Sequence, residues 1–216
     1  MMKTAVIFDL DGTLLDSLRD LWSAVNYALR THGFPERTLE QIRRDVGNGA
    51  VNLIRCSLPE GTSEETLEAV LNTYRPYYQE HCREATCAYE GVTEALRALA
   101  EKYPVAIVSN KPDAAAKKLC ADYFPCVYTM GQIEGCPRKP AGDMVLRTMA
   151  HLGVEKAVYV GDTEVDVLTA RNAGIPCVSV LWGFRTRQQL EAAGGDRFCE
   201  MTCDLAEKVE ETILGQ

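Results

Sequence analysis

The sequence lacks several features that would assign a protein to a class at once. No apolar run approaches the length of about 18 residues that a membrane-spanning helix requires, and the apolar run near the N-terminus is too short for a secretory signal. Basic residues number 23 against 31 acidic ones, whereas general nucleic-acid binders are more often basic. We therefore expect a cytoplasmic protein that binds neither a membrane nor a nucleic acid.

Zinc-binding and serine-hydrolase patterns are also missing. The nine cysteines include no Cys-x-x-Cys pair, and the three histidines (His32, His81 and His151) are scattered along the chain, so no spacing supports a zinc site. There is no Gly-x-Ser-x-Gly motif and no Walker loop. We expect the cysteines to be reduced and mostly buried thiols.

Short apolar runs that end abruptly in small or polar residues are present instead. Runs of this length and composition are typical of strands that are buried on both faces of a parallel sheet; they cover residues 5–8, 105–108, 157–160 and 177–182. Helical patterns lie between them, at 92–102, 112–122, 140–152 and 163–173, and two of these begin with a proline. The alternation predicts an α/β fold with a Rossmann-like parallel sheet.

One long segment interrupts this alternation. Residues 16–84 contain no convincing strand but carry helical stripes of apolar residues, and Ser17 with Asp20 has the spacing of a helix cap. We therefore predict an all-helical insertion at 16–84 in a core domain made of residues 1–15 and 85–216.

Polar side chains follow the apolar runs at the point where each predicted strand ends. In open α/β sheets, ligands bind beyond the carboxyl ends of the strands, so Asp9, Asp11, Ser109, Asn110 and Asp162 are expected to converge. Three carboxylates in one place favour a hard cation with oxygen ligands, and Mg²⁺ is the natural choice.

Each of these residues also has a simpler interpretation. Asp11-Gly12 could form a hairpin turn, and Ser109 with Asn110 could cap a helix instead of holding an anion. Lys139, next to a proline, could be solvated or could contact a phosphate. Thr163 and Asp166 have the spacing of a capping box, which leaves Asp166 able to support a metal site as well.

The ordered set of motifs resembles the haloacid dehalogenase (HAD) superfamily. The segment Asp9-Leu10-Asp11-Gly12-Thr13-Leu14 resembles the first motif of that family, and Ser109-Asn110 the second. Lys139 is similar to the basic third motif, and Gly161-Asp162-x-x-x-Asp166 to the fourth. The helical insertion is similar to the C1 cap of the family. Val46–Ala50, Ser109–Pro112 and Trp182–Arg185 resemble its phosphoglycolate phosphatase branch.

The resemblance implies roles for the acidic residues. Asp9 would be the nucleophile and would form an aspartyl-phosphate, which divides a difficult hydrolysis into two easier steps. Asp11 would donate a proton to the leaving oxygen and then activate water. Mg²⁺ would be bound by Asp9, the backbone carbonyl of Asp11 and Asp162, with Asp166 close by in a supporting position.

The resemblance also implies how the phosphoryl group is held. Ser109, Asn110 and Lys139 would neutralise its oxygens, while the cap would close over the site. Arg43 and Asn48, in the cap, are candidate contacts of the substrate.

Departures from related patterns narrow the reaction. The dehalogenases of the family lack an aspartate equivalent to Asp11, and phosphonate hydrolases and sugar-phosphate mutases use a lysine in the cap, whereas this chain has no lysine between Thr4 and Glu101. We expect a Mg²⁺-dependent phosphomonoesterase for a small phosphorylated metabolite, 2-phosphoglycolate above others.

Other functions remain open at this point. Hydrolysis of pyrophosphate, a nucleotide or a sugar phosphate, a β-phosphoglucomutase-like activity and, more distantly, a phospho-receiver signalling module are the alternatives. The sequence is compatible with a monomer or a homodimer.

Overall fold

The computed structural model describes residues 4–215, which divide into two compact units. One unit contains the described residues up to Leu15 together with those from Ala88 onward, and the other extends from Asp16 to Cys87. The sequence placed the return to the core at residue 85.

Strands and helices alternate through most of the first unit. The strands are β1 (Thr4–Phe8), β2 (Leu15–Asp16), β3 (Cys87–Ala88), β4 (Val105–Pro112), β5 (Tyr128–Gln132), β6 (Lys156–Gly161), β7 (Cys177–Val180) and β8 (Phe198–Cys199). The helices are α1 (Leu18–Thr31), α2 (Leu39–Asp45), α3 (Gly49–Ser57), α4 (Glu64–His81), α5 (Val92–Ala100), α6 (Asp113–Tyr123), α7 (Asp143–Leu152), α8 (Glu164–Ala173), α9 (Arg187–Ala192) and α10 (Leu205–Leu214), with a 3₁₀ turn at Thr202–Asp204.

Six strands form one parallel sheet in the order β5-β4-β1-β6-β7-β8. The four predicted strand runs are β1, β4, β6 and β7, and they lie next to one another, which confirms the α/β prediction. Their side chains are almost completely buried, as expected for strands that are covered on both faces. Because β1 lies between β4 and β6, the residues that follow these three strands meet at one edge of the sheet.

The predicted starts of two helices were wrong. Pro112 is the last residue of β4 and precedes α6, while Pro140 lies in a turn closed by the Ala141 N–H and the Arg138 carbonyl (3.0 Å). α7 begins only at Asp143. A proline fits an extended or turn position as readily as a first helical turn.

The second unit contains α1 to α4, and its polar caps differ from the predicted one. Thr38 and Gln41 form a reciprocal capping box at α2. The Ser17 side chain makes no capping hydrogen bond at α1. Asp20 instead accepts the N–H groups of Ala85 and Thr86, at 2.9 Å each. The predicted Ser17–Asp20 cap is therefore wrong.

Cysteine and helix composition bear on two further expectations. All nine cysteines are free thiols. Among residues 4–215, no helix has both the length and the apolar character needed to cross a bilayer.

Candidate active site

The chain leaves β1 through a tight turn that brings its backbone close to Asp162. The Asp9 N–H donates to the Val160 carbonyl (2.8 Å), so Asp9 is still aligned with β6. Gly12 has a φ of 86°, and a Cβ atom at this position would lie 2.2 Å from Asp162 Oδ2. Only glycine allows this approach. The hairpin interpretation of Asp11-Gly12 is wrong, because β2 pairs with β3 rather than with β1.

Lys139 is buried at the centre of the site and makes three hydrogen bonds. Its Nζ lies 2.8 Å from Asp9 Oδ1, 2.8 Å from Asp166 Oδ1 and 3.0 Å from the hydroxyl oxygen of Tyr159. An ammonium group has three donors, so all of them are matched. Burial lowers the pKa of Lys139, but Asp166 and Asp9 outweigh it and hold this pKa well above its usual value. The solvated interpretation of Lys139 is wrong, since only 1% of the residue is exposed.

Asp162 is held through both of its carboxylate oxygens. Oδ1 accepts the Thr13 hydroxyl (2.8 Å) and Oδ2 accepts the Phe184 N–H (2.8 Å). Gly183 makes the second contact possible, because a Cβ there would lie 2.5 Å from Oδ2. The orientation of this carboxylate is therefore fixed by residues that follow β1 and β7.

Asp9, Asp162 and Asp166 form a buried acidic cluster in which one oxygen of each lies within 4.8 Å of the others. Burial raises the pKa of Asp9 to about 7, against the opposing effect of Lys139. Burial, and then Asp166 and Asp9, raise the pKa of Asp162 well above its usual value. Such repulsion between carboxylates is relieved by a cation, and the all-oxygen donor set fits a hard divalent ion.

Within this cluster, Asp166 is already occupied by protein donors. Its Oδ1 accepts Lys139, and its Oδ2 accepts both the N–H (3.0 Å) and the hydroxyl (2.7 Å) of Thr163. The predicted contact between Thr163 and Asp166 is present. Asp9 and Asp162 are thus better placed than Asp166 to bind a cation directly, and Asp166 positions the Lys139 ammonium.

The side chain of Asp11 lies outside the cluster and pairs with a second buried lysine. Asp11 Oδ2 is 3.1 Å from Lys111 Nζ. Sequence reasoning gave Lys111 no role, although its position directly after Ser109-Asn110 at the end of β4 was a usable signal.

Ser109, Asn110 and Lys111 lie in a bulge of β4. Val108 pairs with Met130 and Pro112 with Gln132, so three residues of β4 face the single residue Gly131. The Lys111 N–H donates to Ser109 Oγ (3.2 Å), and Asn110 Nδ2 donates to the Lys139 carbonyl (3.0 Å). Both side chains thus bind within the site rather than capping α6. Bulges often redirect side chains next to active sites.

Residues after β7 form a clamp that sequence reasoning left without a role. Trp182 Nε1 donates to the Thr13 carbonyl (3.0 Å). The buried Arg185 makes two hydrogen bonds to Glu164, at 2.7 Å and 3.1 Å. These contacts flank the Phe184 N–H that binds Asp162, so the segment fixes Asp162 from both sides.

The two candidate substrate residues lie in the second unit. Arg43, on α2, is 3.5 Å from Glu40 Oε2, and Asn48 precedes α3 without a capping side-chain hydrogen bond. Their contact with substrate stays a prediction.

Comparisons with known proteins agree with this geometry. A family model described as haloacid dehalogenase-like hydrolase matches residues 6–180. The phosphoglycolate phosphatase of Rhodobacter capsulatus is 39% identical over 197 residues, which are 85% of this chain and 87% of that protein. Phosphoglycolate phosphatase 1 of Pseudomonas aeruginosa is 33% identical over 190 residues, or 83% and 70% of the two chains.

A solved structure shares the whole fold. The crystal structure of a Lactobacillus delbrueckii subsp. bulgaricus protein, provisionally described as a phosphoglycolate phosphatase, matches with a TM-score of 0.89 at 34% identity and covers 100% of both chains. The family match extends over most of the chain and includes every residue of the acidic cluster. The chain belongs to the haloacid dehalogenase-like hydrolases and is a phosphatase of that family.

Proposed function

We propose that the protein is a Mg²⁺-dependent phosphomonoesterase that hydrolyses 2-phosphoglycolate through an aspartyl-phosphate on Asp9. The observation that carries the proposal is the buried cluster in which the Lys139 ammonium contacts both Asp9 and Asp166 at 2.8 Å. The names of the relatives support the substrate. The single methylene between phosphate and carboxylate makes 2-phosphoglycolate a small, doubly anionic ligand that suits a site rich in buried cations.

Asp9 is held in the orientation that a nucleophile needs. Its backbone is aligned with β6 and its Oδ1 is fixed by Lys139. In the first step, a carboxylate oxygen of Asp9 forms a bond to phosphorus while the bond between phosphorus and the ester oxygen breaks. Lys139, next to the attacking oxygen, keeps Asp9 ionised and offsets the charge that gathers on the phosphoryl oxygens.

Asp11 moves the protons of both steps. It gives a proton to the departing ester oxygen, which leaves as an alcohol. In the second step it takes a proton from the water that attacks phosphorus, and Asp9 is released together with inorganic phosphate. Asp11 follows Asp9 by two residues, so it lies beside the nucleophile without sharing the acidic cluster.

Side chains of β4 and the cation complete the phosphoryl site. A divalent cation held by Asp9, the Asp11 carbonyl and Asp162 would supply positive charge to the phosphoryl oxygens, and Mg²⁺ suits this oxygen-only donor set. Ser109 and Asn110, which the bulge redirects, would donate hydrogen bonds to the same oxygens. Asp166 contributes by positioning Lys139.

A substrate panel tests the proposal. With Mg²⁺ present, kcat/KM is measured for 2-phosphoglycolate, pyrophosphate, a nucleoside monophosphate and a sugar phosphate. We expect 2-phosphoglycolate to exceed the others and activity to disappear when the cation is chelated. A higher kcat/KM for pyrophosphate or the nucleotide would overturn the substrate, and full activity in the presence of a chelator would overturn the cation dependence.

A further inference from the structure

The ion pair between Asp11 and Lys111 joins the proposed proton donor to a buried cation. The Lys111 side chain is 3% exposed and its Nζ lies 3.1 Å from Asp11 Oδ2. Burying a lysine is costly unless its charge is matched. Among residues 4–215, the buried lysines are Lys111 and Lys139, and both lie at this edge of the sheet. Their carboxylate partners differ, because Lys139 pairs with Asp9 and Asp166.

The backbone around Lys111 is built to hold it at this position. Lys111 is the last of the three bulge residues that face Gly131. A Cβ atom on Gly131 would lie 2.7 Å from the Lys111 carbonyl oxygen and 2.4 Å from Asp113 Cα. The bulge and a close-packed glycine therefore fix the backbone of Lys111, so its ammonium group is directed by the fold rather than by a flexible loop.

The chemistry of the proposed substrate brings a second carboxylate to the same place. The ester oxygen must face Asp11 to receive a proton, and in 2-phosphoglycolate one methylene separates this oxygen from the carboxylate. A carboxylate so close to the ester oxygen lies next to the group that Asp11 now contacts, which is the Lys111 ammonium. Lys139 is committed to Asp9, Asp166 and Tyr159 by its three donors.

We propose that Lys111 recognises the carboxylate of the substrate and that this carboxylate replaces the one of Asp11 on the lysine. The exchange releases the Asp11 side chain, which then turns toward the leaving oxygen. A phosphate ester without a carboxylate would leave Asp11 paired with Lys111. The selectivity for phosphorylated carboxylic acids and the positioning of the proton donor thus arise from one ion-pair exchange.

This inference rests on the proposed function and deepens it. The function requires only that Asp9 and Asp11 act on a phosphate ester, whereas the inference adds that one lysine distinguishes esters with a carboxylate from those without it. If Lys111 only supported Asp11 structurally, its loss would harm the hydrolysis of every ester equally.

The test compares 2-phosphoglycolate with its neutral amide, in which a carboxamide replaces the carboxylate. The kcat and KM of both esters are measured for the wild-type protein, Lys111→Gln, Lys111→Arg and the control Lys117→Gln. Lys117 is a matched control because it also pairs with an aspartate (Asp113, 2.7 Å) but is exposed. We expect the wild-type protein to prefer the carboxylate ester and Lys117→Gln to keep this preference.

For Lys111→Gln we expect the preference for the carboxylate ester to fall by roughly 10- to 100-fold, as for the loss of one charged hydrogen bond. Lys111→Arg restores part of it, because the cation is retained. An equal loss on both esters, or an unchanged preference, overturns the inference and leaves the proposed function intact. A wild-type protein without the preference overturns both.

A binding measurement covers the case in which Lys111→Gln folds poorly. The affinity of the wild-type protein and Lys111→Arg for 3-phosphonopropionate, a carboxylate-bearing phosphonate that cannot be hydrolysed at the ester position, is measured by calorimetry with Mg²⁺, next to the affinity for its neutral amide. The inference requires tighter binding of the carboxylate by both proteins. Equal affinities for the two phosphonates would contradict it.

Discussion

The two units of the protein use the same kind of ion pair in opposite surroundings. In the second unit, Arg55 binds Glu64 through two hydrogen bonds of 2.6 Å and 2.9 Å, and both side chains are at least half exposed. In the first unit, Lys139 binds Asp9 at 2.8 Å and the lysine side chain is 2% exposed. Distance alone does not separate the pairs, but solvation does.

The difference shows which charges serve stability and which serve chemistry. An exposed pair contributes about 0–1 kcal/mol because water screens it. A buried carboxylate cluster destabilises the fold unless its charges are matched, and here three carboxylates share one lysine. Placing such a cluster at the ends of β1 and β6 is explained by the phosphoryl chemistry that we propose, not by folding.

The largest expected effect is on activity. Asp9→Asn keeps the shape of the side chain but removes the nucleophile, so kcat for 2-phosphoglycolate should fall at least about a thousandfold. Arg55→Gln, as a control from the exposed pair, should retain kcat. Substantial Mg²⁺-dependent turnover by Asp9→Asn would show that another group attacks phosphorus.

The second effect concerns stability and sharpens the comparison directly. Lys139→Met leaves Asp9 and Asp166 buried without their cation, and the loss of one partner of a buried pair typically costs about 3–5 kcal/mol. The free energy of unfolding in urea, measured at pH 8 without divalent cations, should fall by about this amount. A loss below about 1 kcal/mol would mean that the cluster behaves like the exposed pairs.

The third effect is a pH dependence in the absence of divalent cations. Because burial raises the pKa of Asp9 to about 7 from 3.8, the folded protein binds a proton more tightly than the unfolded chain does. Stability should therefore decrease as pH rises from about 4 to about 7, by a few kcal/mol. Thermal unfolding across this range measures it. Asp9→Asn should flatten the profile, and so should Mg²⁺; an equally steep wild-type profile with Mg²⁺ would contradict the proposed cation site.

The fourth effect tests the clamp after β7. Arg185→Gln breaks the buried bidentate contact with Glu164 and loosens the segment that binds Asp162. Changes to residues that orient ligands typically lower metal affinity about 10- to 100-fold, so Mg²⁺ binding measured by calorimetry should weaken accordingly. The control is Arg187→Gln, whose partner Glu200 is exposed; if both variants bind Mg²⁺ equally well, the clamp has no such role.

The smallest effect belongs to the exposed pair itself. Removal of the Arg55 charge by Arg55→Gln should change the free energy of unfolding by no more than about 1 kcal/mol, since solvent replaces the lost hydrogen bonds. Urea unfolding measures the change, and Glu64→Gln should give a similar value. A loss of 3 kcal/mol or more would remove the contrast between the two units ( gives about 3–5 kcal/mol for a buried pair).

The sequence predicted the central strands because their side chains are apolar on both faces. It missed β5, in which Thr129, Gly131 and Gln132 interrupt the apolar pattern, and the two-residue β8. Strands of this kind are defined by their pairing with neighbours, which a pattern along one chain does not encode.

The convergence of Asp9, Asp11, Ser109, Asn110 and Asp162 was predictable because parallel strands end at one edge of a sheet. The partners of these residues were not. The Lys111–Asp11 pair depends on a bulge, and the Phe184 N–H reaches Asp162 only because Gly12 and Gly183 leave room for it. Such contacts between distant segments are set by packing and not by local spacing.

Chemical trapping of the intermediate tests the central claim most directly. The wild-type protein is mixed with 2-phosphoglycolate and Mg²⁺, denatured in acid within milliseconds and reduced with borohydride, which converts an aspartyl-phosphate to homoserine. Peptide mass spectrometry should find homoserine at position 9, and not at position 11, 162 or 166. Rapid turnover without modification at Asp9, or modification of another aspartate, would contradict the account.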